Sequence, residues 1–98
     1  MNNKDIHLEL LSKLELNPNY TQRELSKEMD VSLGKVNYCM KKLMEMGWVK
    51  LTNFKNSSNK LIYMYLLTPQ GIDQKAKLTS SFLNIKMKEF EILKDEIS

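Results

Sequence analysis

Residues 21–47, TQRELSKEMDVSLGKVNYCMKKLMEMG, restrict the fold more than any other stretch, because they contain two helix starts and two helix stops. Thr21 and Glu24 have the T-x-x-E spacing of a capping box, in which each side chain satisfies a backbone donor at the helix start. Tyr20 and Leu25 flank that start as a hydrophobic staple. The helix is predicted to end near Asp30, a residue that tolerates the left-handed conformation of a turn. Ser32 opens the next helix, with Val31 and Val36 as its staple, and Gly47 closes it. Trp48 then folds back on Leu43 to complete a Schellman motif. A helix, a three-residue turn and a longer helix have the spacing of a helix-turn-helix.

The second helix is predicted to bury Leu33, Val36, Met40, Leu43 and Met44, which fall on one stripe at about 100° per residue. Gly34, Lys35, Tyr38, Lys41 and Lys42 point the other way. No acidic residue occurs from Val31 to Met44. Solvated helix faces mix both signs of charge; this one is basic with an aromatic hydroxyl, as suits a helix lying against phosphates and base edges in a major groove. Asn37, at the edge of the core stripe, is a candidate base reader. Ser32 belongs to the same surface, as do Thr21, Gln22 and Arg23 at the start of the preceding helix. The bland reading of the lysines is an ordinary solvated face.

Net charge supports the polyanion reading through its distribution. The chain carries +3 overall, and residues 21–60 hold eight basic against four acidic groups, whereas residues 61–98 balance at five each. A single cysteine excludes an internal disulfide framework and fits a reducing, cytoplasmic setting. The N-terminus has no apolar run long enough for a signal peptide or membrane span.

Around the central stretch, Ile6, Leu10, Leu11 and Leu14 predict a first helix over residues 4–16, ended by Asn17-Pro18-Asn19. His7, the only histidine, reads as a surface residue of that helix. Trp48–Phe54 and Leu61–Leu67 read as strands. The polar loop between them, Lys55, Asn56, Ser57, Ser58, Asn59 and Lys60, makes the pair a β-hairpin wing that lies along phosphates or enters a minor groove, and Asn56 to Asn59 are expected to be mobile without DNA. Both faces of the second strand are apolar, so the pattern leaves its core side open. Thr68-Pro69 starts a last helix, with Thr as N-cap and Pro at the first helical position. Nothing interrupts it before Ile97, a length on the order of 40 Å. Ile72, Ala76, Thr79, Leu83, Lys86, Phe90, Leu93 and Ile97 follow a 4-3 repeat, with Leu78, Phe82, Ile85 and Ile92 as a second stripe. One stripe is expected to pack on the winged helix. Ile72, Ala76, Thr79, Leu83, Phe90, Leu93 and Ile97 are the expected dimerisation seam.

The expected architecture is mainly α with a β-hairpin wing: a winged helix-turn-helix DNA-binding domain over residues 1–68 and a dimerisation helix over residues 69–98, in one compact unit. The segments 21–43, GWVKLTNFKNS (47–57) and YLLTPQGI (65–72) resemble MarR-type winged-helix transcriptional regulators, specifically a short subgroup associated with exopolysaccharide gene clusters. That resemblance covers about Ile6 to Ile97. It implies binding of double-stranded DNA as a homodimer on a two-fold-related operator and regulation of transcription; separately, no cofactor and no membrane partner are expected. Two departures bound it. Asn59 and Leu61 stand where larger members have an acidic–Arg pair in the wing, leaving Lys55 or Lys60 to substitute. The helices that build a ligand cavity in longer members are also missing, so no small-molecule effector is implied.

An enzyme is not expected, since His7 and Cys39 each stand alone and the chain has no glycine-rich phosphate loop or metal-ligand cluster. Cys39 reads as a partly buried filler on the flank of the core, and Met29, Met40, Met44, Met46, Met64 and Met87 as core filler. The alternative to DNA binding is a winged helix used for protein contact, because fold alone does not fix function.

Overall fold

The structure, a computed structural model, describes residues 2–97. Asn2 accepts a hydrogen bond from the Asp5 amide and starts α1 (Asn3–Leu16). Asn17 ends it, and its side chain accepts from the Asn19 amide across Pro18. α2 (Gln22–Met29) carries the complete Thr21–Glu24 capping box and stops at Asp30, whose φ of 53° is left-handed. The Ser26 hydroxyl donates to the Val31 carbonyl, closing the turn before α3 (Leu33–Glu45), which Ser32 caps.

At the end of α3, Gly47 has a φ of 76° that a residue with a Cβ would adopt only under strain. The Trp48 amide donates to the Leu43 carbonyl at 2.9 Å and the Gly47 amide to the Met44 carbonyl at 3.0 Å. Those are the two bonds of a Schellman motif.

The hairpin pairs β1 (Val49–Lys55) with β2 (Leu61–Leu67), antiparallel, from Val49 opposite Leu67 to Lys55 opposite Leu61. The half-buried residues of β2 change sides along the strand. Tyr65 and Leu67 pack against the core, while Ile62 and Met64 lie on the other face, beside Phe54 and Thr52 in the register. The doubly apolar pattern thus serves the domain at one end and the hairpin itself at the other.

α4 (Pro69–Ile97) begins at Thr68, whose Oγ1 accepts from the Gly71 amide and donates to the Gly47 carbonyl at 2.6 Å. Gly71 lies so close to α3's terminal turn that a Cβ there would stand 2.0 Å from the Trp48 carbonyl oxygen. Further along, Leu78 packs on the core and Lys75 bridges to Glu15 of α1 at 2.9 Å. From Ser80 to Ile97 every residue is exposed. Of the two stripes, the one containing Leu78 therefore meets the domain.

The core comprises Ile6, Leu10, Leu11, Leu14, Leu25, Met29, Val36, Cys39, Met40, Leu43 and Val49. Four expectations change here. Leu33 is 41% exposed rather than in the core, because it occupies the first position of α3, beyond the layer that Val36 and Met40 fill. Cys39 is wholly buried rather than on the flank, and burial pushes its thiol pKa up, making it a poor nucleophile. His7 is half-buried rather than a surface residue, and its Nε2 is buried without a hydrogen-bond partner. Met46 and Met87 are exposed, so they are not core filler.

Among the described residues no helix is long and apolar enough to cross a membrane, and no group of three or more His, Cys, Asp or Glu side chains could hold a metal ion.

Candidate nucleic-acid interface

The capped starts of α2 and α3 and the inner side of the hairpin converge on one surface. Thr21 and Arg23 are exposed there. Gln22 sits in the middle: its Oε1 accepts from Asn37 Nδ2 at 3.2 Å, and its Nε2 donates to the Tyr65 hydroxyl at 3.2 Å. This chain of side-chain bonds links α3, α2 and β2, and it holds Asn37 on the exposed side of α3 rather than against the core.

Along α3, Tyr38 is exposed between two lysines, with Lys35 Nζ and Lys42 Nζ each 5.7 Å from its ring centroid. Cations at that distance are attracted to the ring's negative face. Lys41 is exposed, and Lys42 also pairs with Glu45 at 3.6 Å, so the acid just after the basic run offsets part of its charge. Lys35 is half-buried; burial first and the Lys35 charge second lower the pKa of His7, while burial raises that of Cys39 against a smaller opposing effect of the same charge. Ser32 is occupied as the cap, accepting from the Lys35 amide at 3.1 Å.

In the wing, Asn56 is a turn organiser as well as a loop residue. Its Oδ1 accepts from the Ser58 and Lys60 amides, and its carbonyl accepts from the Asn59 amide. Asn59 adopts a left-handed φ of 63°. This is the chemistry of a type I turn followed by an αL residue, which closes short hairpins. The freely presented wing residues are Lys55, Ser57, Ser58, Asn59 and Lys60, with Asn56 half-buried beneath them.

Between the hairpin and the helix starts lies a groove of about 820 Å³, lined by Leu33, Leu51, Tyr63 and Tyr65 among others, with Arg23 its only charged residue. Sequence reasoning missed this groove. Leu33 falls on the core side of a helical wheel, and a wheel carries no information about where the core stops along the axis. The alternation in β1 could have pointed to Leu51, which shares a face with Val49.

The residues expected along a dimer seam divide in two. Thr79 is half-buried and its hydroxyl donates to the Lys75 carbonyl at 2.8 Å. Ile72, Ala76, Leu83, Phe90, Leu93 and Ile97 are exposed.

Comparison with known proteins agrees with this geometry. Residues 4–50 match the winged helix-turn-helix DNA-binding family. The chain is similar in structure to smu.1704 of Streptococcus mutans UA159, at a TM-score of 0.81 and 18% identity over 95% of this chain and 90% of that one. A PadR-like transcriptional regulator of Bacillus cereus aligns at a TM-score of 0.76 and 16% identity, covering 89% of each chain. The zinc-dependent MarR family regulator AdcR aligns at a TM-score of 0.66 and 18% identity over 97% of this chain, which spans 62% of that one. No curated protein sequence matches the chain. Together with the hairpin after α3, these comparisons show a winged helix fold with a long C-terminal helix, in which residues 4–50 are similar to the winged helix-turn-helix DNA-binding family.

Proposed function

We propose that the protein is a transcriptional regulator that binds double-stranded DNA sequence-specifically as a homodimer. The observation that carries this reading is the outward face of α3, where Lys35, Tyr38, Lys41 and Lys42 stand together and no acid interrupts the run from Val31 to Met44. In the bound state α3 enters the major groove, Gln22 and Arg23 meet a phosphate, and Lys55 and Lys60 follow the backbone on the wing side. Pairing of α4 with its copy supplies the second reading helix. What supports pairing is exposure: Leu83, Phe90, Leu93 and Ile97 are uncovered in the single chain. Each such side chain contributes about 1.5–3 kcal/mol when fully buried, and several together exceed the entropy cost of association. Exopolysaccharide genes are the targets that the sequence resemblance suggests.

The test is a titration of duplex DNA at a series of salt concentrations. Counterion release makes log K fall linearly with log salt. Binding without such a slope, or no binding to duplex at all, assigns the basic face to solvent or to an acidic protein partner instead.

A further inference from the structure

Gly34 is the second residue of α3 and is exposed; a Cβ built on it meets nothing within 4 Å. The fold therefore has no need of a glycine there. Glycine within a helix is nevertheless destabilising relative to alanine. A residue that weakens its own helix and clears space next to nothing in its own chain leaves room for something outside it. Gly34 lines the wing-side groove together with Leu33, Asn37, Leu51 and Tyr63.

The chemistry of that groove selects among the parts of a DNA duplex. Arg23 is its only charged lining residue, and Leu33 and Leu51 are both exposed leucines within it. A phosphate can be met by Gln22 and Arg23 on one side of the groove, but the side formed by Leu33, Gly34 and Leu51 has no side-chain donor to replace its water. In the major groove the one apolar group on a base edge is the thymine 5-methyl. The basic residues of α3, on the flank of this notch, bring the duplex to it.

We propose that Leu33 and Gly34 form a seat for a thymine methyl: Gly34 lets the base edge approach the α3 backbone, and Leu33 packs on the methyl. The inference rests on the DNA-binding reading and adds a base preference to it. Asn37, one turn further along and held by Gln22, lies beside the seat.

The test uses the full chain and duplexes selected by it from a random pool, the tightest being remade with deoxyuridine in place of each thymidine in turn. Uracil lacks only the methyl. At one thymine per half-site the swap is expected to weaken binding about four-fold, the worth of one buried methyl-sized group. Leu33→Ala is expected to weaken the thymine duplex by a similar factor and to bind both duplexes equally. Gly34→Ala is expected to raise Tm while weakening binding roughly ten-fold or more, since its methyl fills the approach. Affinity indifferent to every uracil swap, or full affinity in Gly34→Ala, overturns the seat while salt-dependent binding still upholds the DNA reading. If no duplex is bound with salt dependence, the seat and that reading fall together.

Discussion

Leu10 and Leu93 are the same side chain on two helices of one chain, yet Leu10 is fully covered and Leu93 is 56% exposed. The contrast extends to whole regions. α1–α3 and the start of β1 supply every buried hydrophobic residue among those described, and Ser80 to Ile97 supply none. Both regions have apolar residues at helical spacing, so periodicity does not distinguish them. Three short helices packed together can cover one another, whereas α4 runs beside the start of α1 only as far as Ile85 and extends past the domain from there. The molecule measures 63 × 27 × 23 Å, and its long axis reflects that overhang. Periodicity thus says which side chains share a face; only the tertiary arrangement says whether the face is met.

The contrast breaks most visibly by truncation. Leu10→Ala is expected to cost about 2–5 kcal/mol in urea unfolding, because a wholly buried leucine leaves a cavity. Leu93→Ala, measured at dilutions where chains are separate, is expected to cost almost nothing. Equal losses would mean that the distal half of α4 is covered in the single chain.

The double change Phe90→Asp and Leu93→Asp sharpens the contrast next. It is expected to give a folded monomer by sedimentation, with operator affinity lower by about 10²-fold as the second reading helix is lost. If the unmodified chain sediments as a monomer at micromolar concentration and binds a single half-site undiminished, the pairing role of α4 is wrong.

Local chemistry accounts for what could be read from the sequence in advance. The caps at Thr21 and Ser32, the stop at Gly47, and the strand limits Leu61 and Leu67 depend on residues within a few positions of each other, and the structure has them there. Thr21→Ala is expected to cost about 1 kcal/mol through loss of the cap. Unchanged stability would mean that Glu24 alone holds the start of α2. What could not be read depends on partners distant in sequence. Leu33 is exposed because the core stops short of it. Cys39 and His7 are covered because α1 and α3 cross beside them. Gly71 gives no sign in its own neighbourhood that it abuts Trp48, more than twenty residues earlier. In the candidate site, the basic face was legible as a pattern of charge, whereas the groove walled by the wing was not.

Lys42 separates a phosphate contact from a helix ornament, since it is tied both to Glu45 and to the Tyr38 ring. Lys42→Ala is expected to weaken all duplexes alike and to reduce the salt slope by about one unit. An unaltered slope leaves it as plain surface.

The smallest effect concerns His7. Burial, followed by the nearby Lys35 charge, lowers its pKa from the ordinary value of 6.5. The folded state therefore binds the proton less readily than the unfolded chain. Stability from this group is complete above pH 6.5 and declines as pH falls from there through the depressed folded value. His7→Gln is expected to flatten that portion of the stability curve, and an identical curve would mean that the ring is not protected.

The knot formed by Gly47, Trp48, Thr68 and Gly71 has a consequence for how such a chain can vary. The Thr68 amide donates to the Trp48 carbonyl at 3.0 Å and the Thr68 hydroxyl to the Gly47 carbonyl, so the backbone leaves this point at Val49 and returns to it at Leu67. The hairpin is a detour between two fixed stations. Lengthening it at Ser57-Ser58 adds little closure entropy, which grows only slowly with loop length, and leaves the junction of α3 with α4 where it was. Wings of different length and charge are therefore interchangeable attachments on a constant frame, whereas one residue inserted between Thr68 and Gly71 would undo the frame itself.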